Sequence, residues 1–213
     1  MFFTPKPKIF CIGRNKTGTT SMGKALQDFG YKLGDQAQGE LLLRDYTKAN
    51  WNPIIQYCKT AEAFQDVPFS SPFIWLILHH YFPDSKFILT LRDEEEWYKS
   101  ITTFHAKLFS SDGISPPTAT ELKQAKYRYP GFMWEENRAV WNTPEDDIYN
   151  KKLLIEQYRL HNDSILHFFR NKVHFLSLDI SNPQAYQDLC AFLDKKPCYD
   201  SFPHLNRSSD IIK

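Results

Sequence analysis

Nine consecutive residues, Gly13-Arg14-Asn15-Lys16-Thr17-Gly18-Thr19-Thr20-Ser21, gather two glycines, one lysine and four hydroxyl side chains. They follow an apolar stretch, Lys8-Ile-Phe-Cys-Ile-Gly13. They precede a helical pattern with Met22, Ala25, Leu26 and Phe29 on one face. A glycine-containing turn from strand to helix presents backbone N–H groups, and the helix that follows adds the positive end of its dipole. The chemistry such a turn supports is capture of a phosphate or a similar oxyanion. Arg14, Asn15, Lys16, Thr17, Gly18, Thr19, Thr20 and Ser21 are therefore the candidate ligand-holding residues.

The loop departs from that of the nucleotide triphosphatases, which reads G-x-x-x-x-G-K-[ST]. Gly13 and Gly18 keep that separation, but Thr19 occupies the lysine position and Lys16 precedes the second glycine. No aspartate suited to magnesium follows the second apolar strand, where Leu91 gives way to Arg92. Such a loop suits a nucleotide whose phosphate chain is short and needs no metal.

The elements that must position this loop alternate along the chain. Strands are expected at 8–13, at 61–66, at 86–91 and at 173–178, with a short one at 31–34. Helices are expected at 20–29, at 41–57 with an interruption at Pro53, from Ser71 to Tyr81, from Glu94 onward, from about 145 to 169, and from Pro183 to Leu193. Residues 110–133 read as an irregular excursion or lid. The alternation predicts an α/β fold, an open and mostly parallel sheet with helices on both faces. Ligands of such sheets sit at the carboxyl ends of the strands, so the loop after the first strand and the turn at Arg92 must meet there. The length, 213 residues, fits a single domain.

Phe-Cys-Ile-Gly-Arg-Asn-Lys-Thr-Gly-Thr-Thr-Ser resembles the 5′-phosphosulfate loop of the sulfotransferases that use 3′-phosphoadenosine 5′-phosphosulfate (PAPS), a family with a P-loop-like three-layer sandwich fold. The resemblance implies that Lys16 contacts the oxygen bridging phosphate and sulfate, and that Gly18, Thr19, Thr20 and Ser21 hold the 5′-phosphate. Lys86-Phe-Ile-Leu-Thr-Leu-Arg92 through Ser100 is similar to the family's 3′-phosphate segment, an arginine at a strand end and a serine eight residues later. Arginine offers phosphate a bidentate fork, and Ser100 lies two turns into the next helix. Asp66-Val-Pro-Phe, Tyr-Phe-Pro-Asp-Ser-Lys, Leu189-Cys-Ala-Phe-Leu and Phe202-Pro-His-Leu-Asn206 extend the resemblance over most of the chain, apart from about 102–150. That stretch is expected to be a variable helical lid for the acceptor. A Gly-x-x-Gly-x-Trp-Lys segment of one branch of the family is absent, which leaves that part of the 3′-phosphate contact to Asn206 or Arg207.

The implied reaction moves a sulfuryl group in line to an acceptor hydroxyl or amine, without metal. An acceptor hydroxyl needs a general base. Asp66, at the end of a short strand beside the loop, is the first candidate, and His105, on or near the helix after Ser100, is the second. His161 and Asp163 read as helix surface, and His79-His80 diverge too far to share an ion. Tyr127, Tyr129, Phe132, Trp134 and Trp141 are candidate walls of an acceptor pocket. The acceptor is expected to be a small molecule, a lipid or a carbohydrate.

A formal net charge of +1 gives no global field for nucleic acid or an acidic membrane. Four cysteines without a C-x-x-C pair read as reduced and structural, which points to a cytoplasmic location. The N-terminal residues lack the apolar run of a secretory signal, and no segment is long enough to span a bilayer. Two other functions stay open on sequence: a P-loop kinase or triphosphatase with an aberrant loop, and a nucleotide-binding protein that has lost catalysis.

Overall fold

The computed structural model describes residues 7–203. The order along the chain is β1 (Ile9–Cys11), α1 (Thr19–Asp28), α2 (Gln36–Glu40), α3 (Leu43–Thr47), α4 (Trp51–Tyr57), β2 (Ala63–Phe64) and α5 (Ile74–Tyr81). It continues with β3 (Lys86–Leu91), α6 (Glu94–Phe109), α7 (Ala119–Gln124), α8 (Phe132–Val140), α9 (Lys151–Phe168), β4 (Phe175–Asp179) and α10 (Ala185–Leu193). The four strands form one parallel sheet in the order β2-β1-β3-β4. The expected α/β architecture is what the chain adopts.

Strand pleating sorts the apolar runs onto two faces. Ile9, Cys11, Ile88 and Leu178 pack with Met22, Ala25 and Leu26 of α1 and with Tyr186, Leu189 and Leu193 of α10. Phe10, Phe87 and Leu89 point the other way, against Ile54 of α4, Ile74, Trp75 and Leu78 of α5, and Ile165 of α9. Both faces are covered, which is why β1 and β3 read as continuous apolar runs rather than alternating ones. Each fully buried Leu, Ile or Phe contributes roughly 1.5–3 kcal/mol of transfer free energy, so the sheet is a rigid platform for whatever its ends carry.

Gly13 lets the loop after β1 pass close to β3. A Cβ at this position would lie 2.3 Å from Thr90 Oγ1 and 2.6 and 2.8 Å from the Thr90 carbonyl oxygen and amide nitrogen. Any larger residue would push the two central strands apart at the end that bears the site.

Several boundaries differ from the sequence reading. Residues 31–34 make only an isolated bridge, Leu33 to Ala63. The helical stretch at 41–57 breaks at 48–50 rather than at Pro53, with Ala49 at φ +52°. Pro53 lies in the first turn of α4, where its missing N–H forgoes no helical bond. The expected helix from 145 starts at Lys151 instead. Asn150 caps it, its Oδ1 accepting from Leu153 N at 3.0 Å. The 110–133 excursion holds α7, started by a capping box between Thr118 and Glu121, and α8 begins at its end.

Candidate active site

A cleft of about 850 Å³ opens at the carboxyl ends of β1, β2 and β3. Its floor is the loop from Asn15 to Ser21. One wall carries Arg92 and Ser100, and the other carries Asp66, Glu40 and Gln65. The far side is built by α6 and the segment after it: Phe104, His105, Phe109, Tyr127, Phe132 and Glu136. Residues 102–150 thus supply a large part of one side of the cleft.

The loop is shaped by two positive-φ residues, Lys16 at +66° and Gly18 at +95°. Gly18 caps α1, and a Cβ on it would meet Ile180 Cδ1 at 2.6 Å. Thr17 Oγ1 donates to the Arg14 carbonyl at 2.5 Å and shares a hydrogen bond with Thr90 Oγ1 at 2.6 Å, so this hydroxyl pins the loop to β3. The N-terminal turn of α1 lines the floor through Thr19, Thr20 and Ser21 and turns its positive dipole end to the cleft. Arg14 is the exception among the expected ligand-holding residues. Its guanidinium is buried, donates to the Ser70 carbonyl at 2.8 Å and lies 4.6 Å from the Trp141 ring, so the side chain braces the fold and does not line the cleft.

The two expected anion anchors meet. Arg92 Nη1 donates to the Lys16 carbonyl at 3.3 Å, while Nη2 stands 3.6 Å from Glu96. Ser100, one turn beyond Glu96 on α6, is buried and faces the same cleft. An aromatic clasp holds the anchors in place. Trp97 stacks on Tyr158 with centroids 4.3 Å apart, and its indole N–H donates to the Asn15 carbonyl at 3.1 Å. The Tyr158 hydroxyl accepts from the Arg92 amide at 3.0 Å and donates to the Arg92 carbonyl at 2.9 Å. His161, which the sequence placed on a helix surface, is buried instead and bonds the Ile12 carbonyl at 2.9 Å. It thereby fixes α9 to the end of β1.

The Lys16 ammonium lies over the Phe104 ring, 3.6 Å from its centroid. Burial lowers its pKa to about 8; Asp66 opposes that shift and Arg92 adds to it. Asp66 follows β2 at φ +61°. One of its oxygens accepts from Val67 N at 2.9 Å and the other from Gln36 Nε2 at 3.3 Å. Burial and the nearby Glu40 raise its pKa to about 6, against the pull of Lys16 and Arg128. His105 is buried in the cleft wall, with Nδ1 paired to the Tyr149 hydroxyl at 2.7 Å. Burial and the Lys16 charge hold its pKa down to about 3, so it is neutral at physiological pH.

Sequence reasoning missed two carboxyl groups. Glu40 is buried on α2, ion-paired to Arg128 and bonded to Gln36 at 2.9 Å. Glu136 is buried on α8, and burial with Asp66 and Glu40 nearby raises its pKa to about 8. Neither lies in a motif; a helical period running through 132–140 was the only signal for Glu136. Of the five expected aromatic walls, Tyr127 and Phe132 line the cleft. Trp134 lines a separate groove with Phe73 and Leu76, and Trp141 covers Arg14. Asn206 and Arg207 lie outside the described residues. Among the described residues no helix is long and apolar enough to cross a membrane.

An anion-shaped turn after β1 and an arginine-bearing strand end beside it are the geometry on which family comparison bears. Residues 8–211 match the family model described as a sulfotransferase domain. The chain belongs to this family. No curated protein sequence matches it. The sulfotransferase domain runs from the residue before β1 to beyond Phe202, so both anion anchors and the whole cleft fall within it. The chemistry of the family is sulfuryl transfer.

Proposed function

We propose that the protein transfers the sulfuryl group of PAPS to an acceptor hydroxyl or amine held on the α6–α8 side of the cleft. The observation that carries this reading is the Arg92 guanidinium donating to the carbonyl of Lys16, which sets two cation-bearing anchors side by side. The residues present fit a bisphosphorylated nucleotide. The α1 turn with Gly18, Thr19, Thr20 and Ser21 suits the 5′-phosphate, and Arg92 with Ser100 suits the 3′-phosphate. When bound, the donor supplies an activated sulfuryl group on a leaving phosphate.

The chain's own residues then divide the work. Lys16 places a positive charge where the bridging oxygen becomes anionic as its bond to sulfur breaks. Asp66, ionised above about pH 6, takes the acceptor proton as the new oxygen–sulfur or nitrogen–sulfur bond forms. His105 is neutral and bonded to Tyr149, which suits a fixed polar wall better than a base in turnover. Phe104, Phe109 and Phe132 shield the reacting groups from water.

Thermal denaturation tests the donor assignment. The product nucleotide, 3′,5′-bisphosphoadenosine, should raise the melting temperature in the presence of a metal chelator, while ATP with magnesium should do little. The reverse ranking would assign the cleft to a triphosphatase or kinase.

A further inference from the structure

Glu136 stands apart from every other acid in the cleft. Its side chain is 4% exposed and lines the cavity, yet among the described residues it has no hydrogen-bond or ion-pair partner. Its oxygens are not among the fully enclosed polar atoms without a partner, so they open onto the cleft. The cation whose field reaches it is Arg14, whose Nη1 donates to the Ser70 carbonyl, whose guanidinium lies on the Trp141 face and whose Nε is unpaired. Glu40 is occupied by Arg128 and Gln36, and Asp66 by Gln36 and the Val67 amide. Glu136 is the acid of the cleft whose bonding capacity is unused; the Gln65 amide oxygen, on the same lining, is also unpartnered.

The surroundings narrow what could use it. Glu136 lies within the electrostatic reach of Asp66 and Glu40, whereas Lys16 and Arg92 are on the donor side. The cleft that holds both Glu136 and Lys16 is also lined by Phe104, Phe109, Phe132 and Met133. A molecule reaching from Lys16 to Glu136 therefore needs a nucleophile at one end, a ring or alkyl body in the middle and a polar group at the other end. An anionic end would meet the Glu136 carboxylate within the field of Glu40 and Asp66.

Resting on the sulfuryl-transfer reading above, we infer that Glu136 selects the acceptor: it bonds the remote polar group of a small amphiphile, favouring an ammonium or hydroxyl and rejecting a carboxylate. The transferred group never touches Glu136. The new bond joins the acceptor oxygen to sulfur, the bond from sulfur to the leaving oxygen breaks, and the acceptor proton goes to Asp66.

Three phenols of matched size probe this: tyramine, 4-(2-hydroxyethyl)phenol and 4-hydroxyphenylacetate, each assayed with PAPS at about pH 9, above the pKa of about 8 at which Glu136 becomes a carboxylate. The expected order of kcat/KM is ammonium first, hydroxyl next and carboxylate last, with at least a tenfold gap between first and last. Glu136→Gln should shrink the tyramine to 4-hydroxyphenylacetate ratio at least tenfold, mostly through KM, and Glu136→Leu should shrink it too while raising KM for the hydroxyl probe. Calorimetric binding of 3′,5′-bisphosphoadenosine to each variant controls for folding. Equal or better use of 4-hydroxyphenylacetate, or an unchanged ratio in both variants, would overturn the inference. So would sulfation of none of the three while the bisphosphate still binds. Absence of bisphosphate binding to the wild-type protein would instead overturn the donor reading.

Discussion

Replacing Lys16 by alanine isolates the charge on which the chemical step rests. Two unit charges about 4 Å apart attract by about 4 kcal/mol at an effective dielectric constant of about 20, the value that serves partly buried pairs best. The leaving oxygen gains only part of a unit of charge between ground and transition state. The differential effect is therefore about 2–4 kcal/mol, or roughly 30-fold to 1000-fold in kcat. Loss of the side chain leaves the Phe104 face bare but disturbs no hydrogen bond of the loop, because Arg92 bonds the Lys16 carbonyl and not its ammonium. The fold and bisphosphate binding should persist. The assay is initial-rate kinetics over a range from about pH 5 to about pH 10. Lys16 acts protonated, so wild-type kcat/KM should fall as pH rises through about 8. Asp66 acts ionised, so kcat/KM should rise as pH passes about 6. The alanine variant should keep the acidic limb and lose the alkaline one. Glu136 titrates in the same alkaline range, and Glu136→Gln, which should retain the alkaline limb, separates the two. A Lys16→Ala enzyme within threefold of wild type, or one that still declines above pH 8, would refute the assignment.

Three further outcomes follow from the same geometry. Asp66→Asn should lower kcat by roughly 100-fold to 10000-fold, the range for loss of a general base, and remove the rise near pH 6. Gly13→Ala should destabilise the protein by about 3 kcal/mol or more, read as a lower urea midpoint, because its Cβ would lie within 3 Å of Thr90 backbone atoms that cannot move aside. Glu136→Gln should stabilise the fold at alkaline pH. The folded-state pKa is raised above its ordinary 4.5, so between about 4.5 and 8 the native state holds a proton that the unfolded state has released, and wild-type stability falls as pH rises. The melting temperatures of variant and wild type should match below about pH 4.5 and differ by roughly 10–20 °C near pH 9.

The most legible parts of the sequence were those dictated by local chemistry. The run from Ile9 to Ile12 had to be a covered strand, and the glycine spacing with Lys16 marked the turn that forms the floor of the cleft before any contact was known. Arg92 and Ser100 were legible because a strand end and a helical period fix their separation. Asp66 was placed correctly beside the loop, though its helper Gln36 was not foreseen. Glu136 was invisible for the opposite reason. Its relevance depends on α8, which begins at the end of the stretch read as irregular, lining the cleft, and a lone glutamate on a helix does not reveal that. Arg14 misled in the same way. It lies inside the loop motif, but the turn directs its side chain under Trp141, and sequence order says nothing about which way a loop residue points. His161 was misread because its partner, the Ile12 carbonyl, lies 149 positions away.

The stacked pair of Trp97 and Tyr158 joins the loop carbonyl of Asn15 to the backbone of Arg92 through contacts within the protein itself. A receptor riveted in this way is preorganised: most of its ordering entropy is lost during folding, not at the moment of capture. On the proposed donor reading, adenosine carrying only its 5′-phosphate or only its 3′-phosphate would find its half of the cradle already formed. Joining both phosphates on one nucleoside gains the chelate advantage of a single association event in place of two.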